Sequence, residues 1–307
     1  MAAHFYDNQG NLLAVDPIWQ ATDYNEPTTP QNQSGSAGHA AATQMRVGLT
    51  TVLDEGWLAF DTIKLTSLSA LITARPSQYH KLTAQVNGRL NSANNGRLFI
   101  QYSNGTIVNV WQNDGIFNGN QNVNGSFTTP TGVSSFQVGT EVVLDKGYLT
   151  FTDVKLTAYS DAIPVTAGDD YHLESQINGS VQAGLGQGGE IKARYYNAAG
   201  QDIGADTLWQ NPVNFNGVAL VDQTFNANTA AATMRLALQV NLDVGYLVFS
   251  NFALEHNVTD TSIIQRRTYS LAGQAIAVKV SGDPAAALLL EAARLTEVSS
   301  LAAYLPT

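Results

Sequence analysis

The sequence predicts an all-β protein made of tandem jelly-roll β-sandwich modules and ending in a short C-terminal helix. Short segments of alternating apolar and polar residues, separated by turns rich in Asn and Gly, fill most of the 307 residues. Sequence markers recur in constant order at intervals of 91 to 98 residues. No helical period interrupts the two complete copies. These observations together favour a duplicated β-sandwich.

The clearest marker is a Leu-Asp-x-Gly turn followed by an aromatic strand, in which Asp bonds the backbone and Gly supplies a positive φ. It occurs as Leu53-Asp-Glu-Gly-Trp-Leu-Ala-Phe60, Leu144-Asp-Lys-Gly-Tyr-Leu-Thr-Phe151 and Leu242-Asp-Val-Gly-Tyr-Leu-Val-Phe249. A Trp-Gln pair precedes each copy, at Trp19, Trp111 and Trp209. Because both markers keep the same order, they indicate that one module was duplicated.

The markers divide the chain into an incomplete first β-sandwich repeat at 1–68, a second at 69–160 and a third at 161–257, followed by a hairpin and a helix at 258–307. The opening shared by Tyr79–Gly88 and Tyr171–Gly179 is missing from the first copy. We therefore expect a fragment of a longer protein whose signal peptide is absent from this chain. The incomplete copy leaves a sheet edge open, so we expect the hairpin or a second chain in a homodimer to pair with it.

Strands are predicted most clearly where apolar residues alternate, as in Tyr148–Leu156 and Met234–Val240. In the tail, Arg267–Val280 is typical of two strands around an Ala-Gly turn. Asp283 and Pro284 then provide an N-cap and a first-turn proline for a helix, with Leu288, Ala292 and Leu295 at helical spacing.

Composition excludes several classes of function. A net charge of −10 disfavours binding to nucleic acid, which requires a basic surface. The chain has no cysteine, so disulfides and thiolate sites are excluded. No apolar run is long enough to span a bilayer as a helix, so membrane insertion is not expected. We expect no nucleic-acid partner and no thiol chemistry.

The order of markers over residues 1–257 resembles carbohydrate-binding modules of the galactose-binding-like jelly-roll class. The segment Tyr269-Ser-Leu-Ala-Gly-Gln-Ala-Ile-Ala-Val278 resembles the hairpin of YD/Rhs-repeat surface proteins. Together these resemblances imply a fragment of a bacterial surface protein with a polysaccharide or glycan partner and an extracellular or cell-surface location.

Sugar binding on a β-sandwich needs aromatic faces for stacking and polar side chains for the hydroxyls. The repeated aromatic candidates are Trp111, Trp209, Tyr148 and Tyr246, although repeated aromatics also fill repeated cores. Phe117 and Phe215 lie outside the two markers, in Asn-rich segments that are also typical of ordinary turns. We predict these six residues as ligand-binding candidates.

Asp169 and Asp170 open the third copy and are candidates for a structural calcium ion, with a solvated turn as the alternative. No other cofactor is expected. His80 and His172 both follow a tyrosine, but no second metal ligand lies at a useful spacing, so a structural role is favoured. Gly184–Gly189 matches a dinucleotide-binding pattern only in its letters, because a strand is predicted after it.

No motif identifies a catalytic residue. We therefore expect a non-catalytic glycan-binding or adhesive protein. Two alternatives stay open: a structural spacer of an Rhs-type protein with no ligand, and a hydrolase with a site between modules. The second alternative is open because paired carboxylates need no fixed spacing in sequence.

Overall fold

A computed structural model of the chain describes residues 2–7, 9–17, 44–48, 63–69, 71–91, 95–144, 147–181, 188–211, 215–241, 245–257, 266–272 and 294–298. Every regular element within these ranges is a β-strand, so the all-β prediction is confirmed. The chain divides into two compact units. One comprises Met1–Thr62 and Ser281–Ala285, and the other comprises Ile63–Val280 and Ala286–Thr307.

The described residues form twenty strands. The first ten are β1 Ala2–Tyr6, β2 Leu12–Pro17, β3 Gln44–Gly48, β4 Ile63–Leu68, β5 Ile72–Thr73, β6 Tyr79–Leu90, β7 Asn95–Tyr102, β8 Ile107–Asp114, β9 Phe117–Thr128 and β10 Ser135–Leu144. The others are β11 Gly147–Tyr159, β12 Ile163–Pro164, β13 Asp170–Val181, β14 Gly189–Tyr196, β15 Asp202–Gln210, β16 Phe215–Asn226, β17 Thr233–Asn241, β18 Gly245–Asn257, β19 Arg266–Ala272 and β20 Arg294–Val298.

The first unit contains an antiparallel sheet of three strands in the order β2-β1-β3. Strand β1 buries Ala3 and Phe5 while its other residues are half-buried, the alternation expected of a strand with one covered face.

The second unit contains two sandwiches. In the middle sandwich, β8-β7-β10 packs on β9-β6-β11, and in the C-terminal sandwich β15-β14-β17 packs on β16-β13-β18. Each has six long strands and one two-residue strand among the described residues, β5 or β12. The strand order is the same in both sandwiches. An eight-stranded jelly roll is not confirmed, because the described strands provide only six long members per sandwich.

The two sandwiches share one seven-stranded sheet. Strand β11 of the middle sandwich pairs with β17 of the C-terminal sandwich, which joins β9-β6-β11 to β17-β14-β15. Leu82, Leu156 and Val240 lie in one cross-strand row of this sheet, and all three are buried. Buried side chains from both sandwiches therefore form a single hydrophobic core on one face of the sheet.

The same pairing register occurs at a second junction. Lys155 pairs with Asn241 between β11 and β17, and Lys64 pairs with Val143 between β4 and β10. Lys64 and Lys155 each lie eight residues after the glycine of the Leu-Asp-x-Gly marker in their own copy, which is Gly56 or Gly147. Their partners Val143 and Asn241 each lie four residues before the marker glycine of the next copy, which is Gly147 or Gly245. We call the last long strand of each copy its closing strand; these strands are β4, β11 and β18. The closing strands β4 and β11 each extend a sheet of the copy that follows. Strand β19 pairs with the last closing strand, β18, in the corresponding place.

A β-bulge divides each of the long closing strands. The register shifts at Asp153 in β11 and at Asn251 in β18, and these residues have φ values of 53° and 54°. Asp and Asn tolerate this left-handed region better than other residues with a Cβ atom. The extra residue reverses the inward and outward alternation, so Leu149 and Val154 both point to the core side of the sheet.

Replacing Asn251 with Val is expected to lower the free energy of unfolding by about 1–2 kcal/mol, because a β-branched side chain is strained at positive φ. Asn251→Gly is the matched control, since glycine adopts this conformation freely. Both variants lose the bond from the Asn251 amide to Gln176 Oε1, which is 2.7 Å long and exposed. Urea denaturation measures the difference, and equal stabilities would contradict the role of the bulge.

The tail is described only in part. Strand β19 matches the first predicted strand of the hairpin, and residues 273–293, which include the rest of the hairpin and most of the predicted helix, lie outside the described residues. Leu295, which the sequence predicts to lie in the helix, lies in strand β20, paired with Leu271. The C-terminal helix is therefore not confirmed, and the predicted Rhs-type hairpin and homodimer stay predictions.

Candidate functional site

The outer face of the middle sandwich carries a regular grid of polar side chains. Three cross-strand rows run over β9, β6 and β11, and the pairing register places them one after another along the strands. The rows are Asn118-Arg89-Tyr148, Asn120-Asn87-Thr150 and Asn122-Gln85-Thr152. All nine residues are exposed, and we call this surface the amide face.

The C-terminal sandwich lacks this surface. The residues at the positions of Asn120 and Asn122 in its edge strand β16 are Val218 and Leu220, which are 59% and 78% exposed. The twelve residue pairs between β13 and β16 follow the same register as the twelve pairs between β6 and β9. The amide face is therefore a property of the middle sandwich and does not follow from the fold alone.

Further along the same outer face, a recess lies where the two sandwiches meet. It encloses about 400 Å³ of space open to solvent. Its lining residues come from β6, β11, β14 and β17, and they are Lys81, Thr83, Thr157, Tyr159, Glu190, Lys192, Arg194, Ala237 and Gln239. The pairing of β11 with β17 creates this recess, because it places strands of both sandwiches side by side.

The recess is polar and contains three cations. Lys192 Nζ lies 2.6 Å from Glu190 Oε1, and Arg194 forms an ion pair with Asp202. Burial lowers the pKa of Arg194, but the hydrogen bond to Asp202 and the electrostatic interactions with Tyr159, Asp202 and Tyr196 together outweigh burial, so the pKa is raised. Burial also raises the pKa of the Tyr159 hydroxyl, so this group stays protonated near neutral pH and can donate a hydrogen bond.

Four of the six predicted ligand-binding aromatics form two matching clusters away from the amide face. Trp111 contacts Phe117 and Phe151 edge-to-face, with ring centroids 5.8 Å and 5.7 Å apart. Trp209 contacts Phe215 and Phe249 in the same way, at 6.0 Å each. Phe117 and Phe215 therefore occupy equivalent positions, although they lie outside the repeated markers. Both tryptophans pack against the hydrophobic core, which fits the core-filling alternative.

The remaining two predicted aromatics are Tyr148 and Tyr246, and the structure describes the side chain of Tyr148 only. Tyr148 lies on the amide face and is 50% exposed. The side chain of Tyr246 lies outside the described residues, although its backbone belongs to β18. Tyr148 is the one predicted aromatic that the described structure places beside the polar grid.

Asp169 and Asp170 stand at the start of β13 and are engaged by other side chains. Asp169 Oδ2 lies 2.8 Å from His256 Nε2, and the Asn226 amide donates to Asp170. Within the described ranges, no group of three or more His, Cys, Asp or Glu side chains lies close enough to hold a metal ion. The calcium ion at these aspartates stays a prediction.

The two histidines do not occupy equivalent positions. His80 is buried and stacks on Phe127, just as Tyr171 stacks on Phe225 in the C-terminal sandwich. His172 lies one residue later, on the other side of its strand, with Nε2 at 2.7 Å from Asp222. The Tyr-His letters alone misaligned the copies by one residue. A structural role for His80 is consistent with its burial in the core.

The residues of the recess were missed by the sequence analysis. Alternation in β6 and β14 identifies Lys81, Lys192 and Arg194 as outward-facing positions. Nothing in the alternation shows that β11 and β17 pair, and this pairing alone brings the three cations to one place.

Among the described residues, no helix is long and apolar enough to cross a membrane.

Comparisons with known proteins identify no family. No family model matches the sequence, and no curated protein matches it. Among solved structures, the CBM22-1-CBM22-2 tandem domain of Paenibacillus barcinonensis Xyn10C is 8% identical, with a TM-score of 0.24, over 60% of this chain and 80% of that chain. A putative secreted protein from Parabacteroides distasonis is 7% identical, with a TM-score of 0.19, over 63% of this chain and 78% of that chain.

Proposed function

We propose that this chain is a non-catalytic glycan-binding β-sandwich protein and that the amide face of the middle sandwich is its binding surface. The supporting observation is the three-by-three grid on β9, β6 and β11. Asn and Gln amides each donate and accept hydrogen bonds, as sugar hydroxyls do, so a row of them matches a row of hydroxyls.

The position of Tyr148 supports the same function. Its half-exposed ring stands at one end of the grid, where a sugar ring can stack on it while neighbouring hydroxyls contact the amides. The fixed placement of the grid also favours binding. The grid lies on three paired strands above a packed core, so little conformational entropy is lost when a ligand binds. A surface or extracellular location, where polysaccharides are encountered, belongs to this proposal.

The test exchanges the grid for what the C-terminal sandwich carries. The double variant Asn120→Val with Asn122→Leu places in β9 the residues found at the same positions of β16. In a screen of soluble and insoluble polysaccharides with the full chain, we expect the wild type to bind at least one polymer and the double variant to lose about tenfold or more in affinity. Tyr148→Ala is expected to lose about fivefold.

Two controls make the screen decisive. Circular dichroism and thermal unfolding establish that each variant is folded, which is expected because Val and Leu replace exposed strand residues. Val218→Asn with Leu220→Asn, made in the C-terminal sandwich, alters the same two positions of the other copy and is expected to leave affinity at the amide face unchanged. Equal binding by the wild type and the β9 double variant would refute the proposed surface.

A structural spacer is the second candidate function. It is favoured by the shared seven-stranded sheet and the single core, which connect the two sandwiches through paired strands and packed side chains. A folded chain that binds no polysaccharide in the screen would support the spacer over the glycan-binding function.

A further inference from the structure

The recess between the sandwiches concentrates positive charge in an acidic protein. The chain has 25 carboxylate side chains against 15 lysines and arginines, yet Lys81, Lys192 and Arg194 meet in one depression. Cross-strand rows explain the convergence. Lys81 pairs with Thr157, Thr157 with Gln239, and Gln239 with Glu190 across four neighbouring strands.

Two of the three cations are already neutralised. Glu190 pairs with Lys192, and Asp202 pairs with Arg194. Lys81 takes part in none of the ion pairs formed by the described residues, although it is half-buried at the wall of the recess. A lysine without a counter-charge is a favourable partner for an anion, because its ammonium group can form charge-assisted hydrogen bonds with the anion.

An aromatic ring and two hydroxyl groups stand next to Lys81. Tyr79 is 40% exposed, and its ring centroid lies 5.3 Å from that of Tyr159. Thr157 and Tyr159 line the recess. The Thr157 hydroxyl donates to Gln239 Oε1 at 3.4 Å, and the Tyr159 hydroxyl can donate a hydrogen bond to an anion. The exposed Tyr79 ring offers a surface on which a sugar ring can stack.

The recess is continuous with the amide face. Along β6, the outward-facing positions run from Arg89, Asn87 and Gln85 through Thr83 to Lys81 and Tyr79. One extended ligand lying along this strand would therefore contact the polar grid with some of its sugar units and the recess with another. A lone anion would not use the amide face.

We infer that the recess binds the carboxylate of a uronic acid unit in a polysaccharide, with Lys81 as its cationic partner and Tyr79 as the platform for its ring. This inference rests on the proposed glycan-binding function and specifies the chemical class of the ligand. It predicts that the chain binds an acidic polysaccharide more tightly than a neutral form of the same polysaccharide.

The experiment compares an acidic polymer with a neutral form of the same polymer. Oligogalacturonide and its methyl ester are titrated calorimetrically into the full chain at low ionic strength, with alginate and a sulfated glycan as further probes. We expect the acid to bind about tenfold more tightly than the ester, since charge-assisted hydrogen bonds are stronger than neutral ones. Lys81→Gln is expected to lower the affinity for the acid about tenfold and to leave the affinity for the ester unchanged.

Lys64→Gln is the matched control for charge. Lys64 is exposed on β4, in the sheet that contains β10, β7 and β8, and it belongs neither to the amide face nor to the lining of the recess. If both variants weaken the acidic polymer equally, binding depends on overall charge and the recess is not the site. The thermal stability of Lys81→Gln is measured alongside, and an unfolded variant is replaced by Lys81→Arg, which keeps the charge and should keep the preference.

Other outcomes separate this inference from the proposed function. If the ester binds as tightly as the acid, the glycan-binding function stands and the carboxylate site is refuted. If the sulfated glycan binds more tightly than every uronate, the recess takes sulfate and the assignment to a carboxylate is wrong. If no polymer binds to the folded wild type, both proposals fail.

Discussion

Between pH 6.5 and about pH 3, the free energy of unfolding is expected to fall more steeply with acidification in the wild type than in a His80→Phe variant. His80 is fully buried, and burial lowers the pKa of its imidazole from 6.5 to about 3. Within this window the unfolded chain binds a proton that the folded chain does not, so stability is lost as the pH falls. The expected difference in slope is about 1.4 kcal/mol per pH unit.

The surroundings of His80 explain why it stays neutral. Its Nε2 atom lies 3.2 Å from Thr129 Oγ1, and its ring packs between Phe127 and Phe136. No described carboxylate bonds the imidazole, and its Nδ1 atom is buried without a hydrogen-bond partner among the described residues. Phenylalanine preserves the stacking but not the bond to Thr129, so only the slopes, and not the absolute stabilities, are to be compared.

Urea denaturation at a series of pH values provides the measurement. His172→Phe is the matched control, because it makes the same change at the outer side of strand β13. We expect the reduced slope in the His80 variant, in which the buried imidazole is removed. Parallel curves for the wild type and His80→Phe would show that the imidazole is not kept neutral by burial.

Leu156→Ala is expected to lower the free energy of unfolding by about 2–5 kcal/mol, the range for truncating a buried leucine. Leu156 is 1% exposed and lies between Leu82 and Val240 in the shared sheet. Because β11 belongs to the sheet of both sandwiches, we expect both to lose stability together. Hydrogen exchange measures this, as amides of β6 and of β14 should lose protection by similar amounts.

Leu220→Ala is the control for this substitution. It removes the same atoms from a residue that is 78% exposed, so we expect a change within about 0.5 kcal/mol. If Leu156→Ala lowered protection in the middle sandwich only, the two sandwiches would be energetically independent in spite of their common sheet.

The sequence markers predicted strands correctly because alternation reflects burial directly. The two segments in which alternation is clearest are Tyr148–Leu156, which lies in β11, and Met234–Val240, which lies in β17. Alternation failed at Asp153, where one extra residue reverses the pattern and the second half of β11 must be counted from a new starting point. A bulge does not change the overall composition of a strand. Its only local signal in the sequence is an Asp or Asn, which tolerates the left-handed conformation that the bulge requires.

Aromatic residues were the least predictable part of the candidate site. Trp111, Trp209, Phe117 and Phe215 pack into two matching clusters, and only Tyr148 of the predicted set lies on the amide face within the described residues. Residue type alone does not distinguish an aromatic that fills the core from one that binds a ligand. The polar residues around them distinguish the two roles, and that distinction needed the register of β6 with β9.

By itself, the sequence determined that the chain is β-rich and acidic, that it contains no cysteine, and where the strands with the clearest alternation lie, because these properties depend on composition and on contacts between near neighbours. Only the tertiary structure decided that β11 pairs with β17, that Lys81, Lys192 and Arg194 share a recess, and that the asparagines of β9 stand beside those of β6. Strand pairing joins backbone groups that are nearly identical at every residue, so alternation reports which side of a strand is buried but not which strand lies next to it.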